Sequence, residues 1–275
     1  MFVSMNAVTV GRVPWPEFAH LAQRTGYGGV DVNLARAMEE GLDSTRALLK
    51  ELKLRSSALS LPVEFRKDEA AFRESLARLE PAAHFARGIG SPRMVTWIAA
   101  SADVPKPELR KLYRERFQAV ARVLARAGVR LGLEFLGPLH LRRSRPHEFI
   151  WRMDEMLEFA RECGPNVGLL LDAWHWHHAG AAAEDILKAG RQAIVHVHVA
   201  DAPALPPEEI RDNQRLLPGE GVINWKGFFG ALRRIGYQDA VSPEIFGRLK
   251  DEPPEKAARL ALEATLGVMR RGGVA

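Results

Sequence analysis

Short apolar runs alternate with longer amphipathic segments along this 275-residue chain, eight times over, and that alternation limits the fold more than any other feature. The runs cover residues 2–5, 29–34, 54–61, 93–98, 129–135, 167–172, 194–199 and 240–246. Between them, apolar residues recur at helical spacing over about 15–24, 44–52, 68–86, 107–126, 146–163, 183–189, 225–235 and 254–269, with Asp43 or Ser44 the expected N-cap of the second helix. Strand and helix in strict alternation imply a parallel sheet. Eight such units in about 250 residues imply a closed (β/α)8 barrel. An open doubly wound sheet is the competitor, but it carries a Gly-rich phosphate turn after its first strand, and Met5-Asn-Ala-Val8 offers none. No linker, low-complexity segment or repeat interrupts the pattern, so residues 1–275 are expected to form one barrel domain. Pro243 inside the eighth run cannot donate to a ladder, and is expected at a bulge or an irregular strand end.

Composition removes several function classes. With 47% hydrophobic and 27% charged residues the chain is globular. No apolar run reaches the roughly 18 residues of a membrane span, and Met1 to Asn6 has neither a basic start nor a cleavage site. Cys163 is the one cysteine and cannot form an internal disulfide, which fits a reducing cytosol, so a cytoplasmic location is expected. A net charge of +5 would suit nucleic acid, but the basic residues scatter over helix faces. Only Arg142-Arg-Ser-Arg145 is denser; it reads as an exposed basic loop, with a phosphate or carboxylate substrate the alternative, and no nucleic acid and no membrane are expected as partners.

A barrel builds its site at the C-terminal ends of its strands. The polar residues there are Glu134 on the fifth run, Asp172 on the sixth, His198 on the seventh and Glu244 on the eighth. Adjacent strands bring such side chains to one point. Three carboxylates and an imidazole suit one divalent cation of hard or borderline character: Mn, Mg, Co or Zn. Without a cation, three carboxylates so close would not all stay ionised. His196 lies two residues before His198, on the same face and one layer deeper, where a hydrogen-bonded core role is expected.

The segments Leu133-Glu-Phe135, Asp172-Ala-Trp-His175, His198-Val-Ala-Asp201 and Ser242-Pro-Glu244, with a Pro-Gly-Glu-Gly turn at Pro218 to Gly221, resemble the xylose isomerase-like TIM barrel family of sugar and sugar-phosphate isomerases and epimerases. The resemblance covers nearly the whole chain. It implies that Glu134, Asp172, His198 and Glu244 hold the metal, and that Glu134 and Glu244 exchange a proton with a metal-stabilised enediolate, one on each face. It implies that His175 binds a substrate hydroxyl and that an Arg after the seventh strand reaches the substrate, with Arg215 the first candidate and Arg211 the second. Where several ketose epimerases have a further substrate-binding Glu, this chain reads Gly137-Pro-Leu-His140, so that either His140 substitutes or the contact is absent, which counts against a free-ketose epimerase. Trp97, Trp174 and Trp176 either wall a sugar pocket or pack the barrel. The substrate class so implied is a small carbohydrate or keto-polyol, and the expected assembly a homodimer or homotetramer. A dehydratase of inosose or dehydroshikimate type on the same scaffold is the alternative. An endonuclease IV-like repair enzyme is disfavoured, because the third and fourth runs end in Ser60-Leu-Pro62 and Thr96-Trp97, without the histidines its zinc site needs.

Overall fold

The apolar runs become the staves of a parallel sheet in the computed structural model, which describes residues 1–274. They are β1 (Phe2–Met5), β2 (Gly29–Val30), an interrupted β3 (Arg55–Ser56, then Leu59–Ser60), β4 (Arg93–Trp97), β5 (Arg130–Glu134), β6 (Val167–Asp172), β7 (Ile194–Val199) and β8 (Ala240–Pro243). Every pairing between neighbours is parallel, in the order β2, β1, β8, β7, β6, β5, β4. The first piece of β3 pairs with β2 and the second with β4. The two ends of the sheet are therefore two pieces of one stave, separated by Ser57 and Ala58, and the circuit closes there as a (β/α)8 barrel.

The centre staves are buried along their whole length. Every residue of β6 and β7 is buried, as staves enclosed by barrel interior on one side and helices on the other must be. The helix Lys106–Arg126 shows how the outer layer attaches: Leu109, Tyr113, Phe117, Val120 and Leu124 recur every three or four residues and are all buried.

Four departures from the sequence-based expectations have local causes. The helix expected over 68–86 is two helices, Glu69–Ala77 and Leu79–Gly88, with Arg78 between them. Pro81 lacks the N–H that would bond the Ala77 carbonyl, and its ring crowds that carbonyl. The helix expected from residue 146 starts only at Met153, because His147–Glu148 pairs antiparallel with Ser101–Ala102. The helix Leu42–Glu51 has Gly41 at its N-cap and Asp43 inside its first turn. The eighth stave stops at Pro243, where pairing with Val199 ends and the missing N–H costs no ladder bond.

A half-buried carboxylate ties the closing region together. Asp31, just past β2, accepts hydrogen bonds from Ser4 of β1 (3.1 Å), Ser242 of β8 (2.9 Å) and Ser57 in the break of β3, and from the Asn6 side chain (3.0 Å).

Candidate metal centre and substrate cavity

Glu134, Asp172, His198 and Glu244 stand at the C-terminal ends of β5, β6, β7 and β8, and offer four ligand atoms that all lie within 4.8 Å of one another. His198 Nδ1 is 3.4 Å from Glu244 Oε2 and 4.0 Å from Glu134 Oε1. Two of these buried atoms, Glu134 Oε1 and His198 Nδ1, have no hydrogen-bond partner among the described residues. A buried polar atom left unpaired is costly. Two such atoms facing one point, beside two further carboxylates, make the donor set of a hard or borderline divalent cation, and the residues fit one.

The electrostatics show what the protein does with this charge. Burial, with Glu244 and Asp172 close by, holds the Glu134 carboxyl well above the usual carboxylate range. Burial raises Asp172 as well, against the pull of Arg215. Glu244 goes the other way: burial pushes it up, but His198 and Arg215 more than offset this and bring it to about 2. Burial depresses His198, yet Glu244, Glu134 and Asp172 outweigh that and lift it to about 10. In the absence of a cation, positive charge is thus drawn from an imidazolium and a guanidinium.

The guanidinium is that of Arg215, which is 1% exposed. Its Nη1 donates to Asp172 Oδ2 at 2.6 Å and Glu244 Oε2 at 3.0 Å, and its Nη2 to Asp212 at 3.0 Å and to the ring of His175 at 3.1 Å. Burial and the Arg215 charge keep His175 well below its ordinary value, and hence neutral. Asp172 Oδ1 accepts from the Trp174 backbone N–H at 2.8 Å, capping the short helix Ala173–His178. That turn swings His175 back over the end of β6.

The loop carrying Arg215 is anchored by Asp201, two residues past β7. Its Oδ1 accepts from the backbone of Ala202 and Ile223, and its Oδ2 from the Gly219 backbone and the Trp225 indole. Leu216 and Asp201 exchange a pair of backbone hydrogen bonds at 2.9 Å. The chain passes so close here that a Cβ on Gly221 would run into the Ala202 carbonyl. The Pro218 to Gly221 turn is therefore a lock on the loop that presents Arg215.

A cavity of about 780 Å³ opens beside this cluster and reaches Glu134, His198 and Glu244. Most of its remaining wall comes from β1 to β4 and the segments that follow them, including Asn6, Asp31, Leu61, Arg66 and Trp97, with Leu170 of β6 below. His175 and Arg215 lie behind the carboxylates, not on the wall. Trp174 is fully buried and packs under Arg215, and Trp176 is also buried, so barrel packing accounts for both. Trp97, 47% exposed, is the aromatic residue at the mouth. His140 sits on the short helix Leu139–Arg142 facing Ile210 and Asp212, outside the cavity lining. Arg211 turns to the carbonyls of Glu208 and Ile210. His196 bonds Ser242 at 3.1 Å inside the barrel, and with Asp31 already holding four donors, that group reads as a hydrogen-bonded layer beneath the site. Sequence reasoning missed Arg66, the Asp31 cluster and the anchoring role of Asp201; of these, Asp31 left a signal as a polar residue near the end of the second run and Asp201 in the spacing His198-Val-Ala-Asp201, whereas Arg66 left none.

Fold and site together define a (β/α)8 barrel with one polar centre at the C-terminal rim of its last four staves. The chain belongs to the xylose isomerase-like TIM barrel family, whose model matches residues 19–267. It is 26% identical over 258 residues to an inosose isomerase of Bacillus velezensis, covering 90% of each chain. A xylose isomerase domain protein from Alicyclobacillus acidocaldarius superposes with a TM-score of 0.92 at 29% identity over 99% of both chains. The IolI protein, solved with a bound zinc atom, superposes at 0.84 and 23% identity, over 98% of this chain and 99% of that one; at that identity it shows the shared fold.

Proposed function

We propose that this protein is a divalent-metal-dependent isomerase or epimerase of a small sugar or keto-polyol. The observation that carries the reading is the gathering of Glu134, Asp172, His198 and Glu244 within 4.8 Å, with Glu134 Oε1 and His198 Nδ1 buried and unpaired at the edge of a cavity. Curated relatives named inosose isomerase and probable ketose 3-epimerase support it.

Glu134, Asp172, His198 and Glu244 would hold the ion, which supplies Lewis acidity toward a carbonyl and its neighbouring hydroxyl and so acidifies the carbon between them. The rest is the work of side chains. Glu134 and Glu244 end staves β5 and β8 and both border the cavity, so a substrate carbon lying between them has a carboxylate on either side. One removes the proton and the other returns it, at the same or the neighbouring carbon. His175, held neutral by burial and by the Arg215 charge, lies behind Asp172 and off the cavity wall, so its role is to orient Arg215 against the carboxylates. Arg215 keeps Glu244 ionised and holds both Asp172 and Glu244 in place.

Two measurements test this. Plasma mass spectrometry of untagged protein should find about one divalent ion per chain, lost in Glu244→Gln and His198→Ala. Proton NMR in D2O with keto-sugars should show metal-dependent loss of the signal of the hydrogen next to the carbonyl, with substrate mass conserved apart from the isotope. No bound metal after reconstitution with Mn, Co, Zn or Mg sinks the reading; loss of water from the substrate replaces it with a dehydratase.

A further inference from the structure

The cavity wall carries a second charged group. Arg66, on the loop after β3, lines the cavity beside Trp97, the residue that pairs in register with Glu134. Its guanidinium carbon lies 4.2 Å from the ring centroid of Phe65 and 3.7 Å from that of Trp97. A guanidinium packed on aromatic rings keeps its edge free for hydrogen bonding. Here Nη2 is used by the Trp97 carbonyl and, at 3.5 Å, by Thr96 Oγ1, whereas Nε and Nη1 have no acceptor among the described residues. No carboxylate pairs with it among those residues, in contrast to Arg78 on the same wall, which is bound to Glu74 at 2.6 Å.

The backbone that carries Arg66 is held from outside. Arg116, buried on the helix Lys106–Arg126, donates Nη1 to the carbonyls of Phe65 at 2.8 Å and Lys67 at 2.6 Å, the residues on either side. Fixing both flanking carbonyls with a buried cation aims a residue at a stated place. Arg66 is itself exposed, and the buried anchor beneath it is what sets it apart from an untethered surface arginine.

We infer that Arg66 is the specificity-determining residue for an anionic group on the substrate: the chain takes a keto-sugar that carries a carboxylate or phosphate in addition to its reacting carbonyl. The guanidinium fork matches either oxyanion through two parallel hydrogen bonds, and the face of Trp97 offers the sugar C–H groups an apolar surface. This rests on the isomerase reading for which end of the substrate meets the carboxylates.

The test is calorimetric titration, in manganese-containing buffer, of wild type, Arg66→Gln and Arg66→Lys with D-fructose, D-fructose 6-phosphate and D-fructuronate. Wild type should bind at least one anionic probe about tenfold tighter than D-fructose, since a charge-assisted pair exceeds a neutral contact by about that factor. The preference should collapse to less than about twofold in Arg66→Gln and survive in part in Arg66→Lys. Preference for the phosphate alone or the carboxylate alone names the group. Equal affinities in wild type, no measurable binding of either anionic probe, or a preference that survives in Arg66→Gln overturns the inference. Because binding is read and not turnover, the two proposals fail separately. Charge selectivity through Arg66 without proton exchange in D2O removes the isomerase reading alone. Exchange without charge selectivity removes this one alone.

Discussion

Asp201→Asn should destabilise the protein by about 2–6 kcal/mol and loosen the loop that carries Arg215 while leaving the barrel intact. The carboxylate is fully buried, with no exposed surface, and accepts four hydrogen bonds: Ala202 N–H at 2.9 Å and Ile223 N–H at 3.0 Å on one oxygen, Gly219 N–H and the Trp225 indole N–H at 2.7 Å on the other. An asparagine keeps one acceptor oxygen and turns an NH2 group on the other pair of donors. Two buried N–H groups then lose their acceptor, at about 1–3 kcal/mol each. With an unfolding entropy of about 2.1 cal/mol/K per residue, a chain of this length loses somewhat under 2 °C of Tm per kcal/mol, so the expected fall is about 3–10 °C. Differential scanning calorimetry reads the fall, and limited trypsin digestion reads the loop, with new cleavage at Arg211 and Arg215 well below the melting transition. A Tm unchanged within about 1 °C, together with a wild-type digestion pattern, refutes the idea that one carboxylate locks the Pro218 to Gly221 turn to β7.

Arg215→Met leaves Asp172 and Glu244 buried without their shared partner, a loss of about 3–5 kcal/mol in chemical denaturation; added Mn²⁺ should raise its Tm more than it raises that of wild type, and an equal rise counts against Arg215 as the neutralising charge. Cys163 is buried on its helix, and burial pushes its thiol up to about 12, so iodoacetamide at mildly alkaline pH should label it only after urea unfolding, as mass spectrometry would show. His178 is depressed from 6.5 to about 3 by burial, with His177 and Arg215 adding to the effect. The folded state keeps it neutral while the unfolded chain takes up the proton, so its contribution to stability is lost as pH falls from about 6.5 toward 3. Urea midpoints over that range should fall less steeply for His178→Gln.

Much of the barrel was legible because most of its staves are short, uninterrupted and largely apolar: β1, β6 and β7 occupy the residues that the runs mark. What the pattern hid was set by single residues or by distant ones. Pro81 broke a helix that apolar spacing alone would have carried through Arg78. The strand His147–Glu148 exists only because Ser101–Ala102 lies across from it, some 45 residues earlier in the chain. The same divide runs through the site. Glu134, Asp172, His198 and Glu244 could be read from the sequence because each closes a stave, and stave ends converge in any barrel. Arg66 could not, since its aim is set by Arg116, fifty positions away on another helix. Arg215 was picked out from the loop after β7, but its place behind the carboxylates, and not on the cavity wall, depends on Asp172 and Asp212 closing on it from two sides.

The cavity draws its charged floor from staves β5 to β8 and nearly all of its wall from β1 to β4 and their loops. On the proposed function, reactivity and recognition fall to different halves of the ring, joined where β4 meets β5 and where β8 meets β1. A loop after β2 or β3 can change length or sequence, and with it the shape and charge of what is admitted, without moving a residue of the four-ligand set. A scaffold divided in this way can exchange one guest for another while its chemistry stays in place. Swapping residues 58–66 between relatives is then a direct route to a new substrate preference on an unaltered centre.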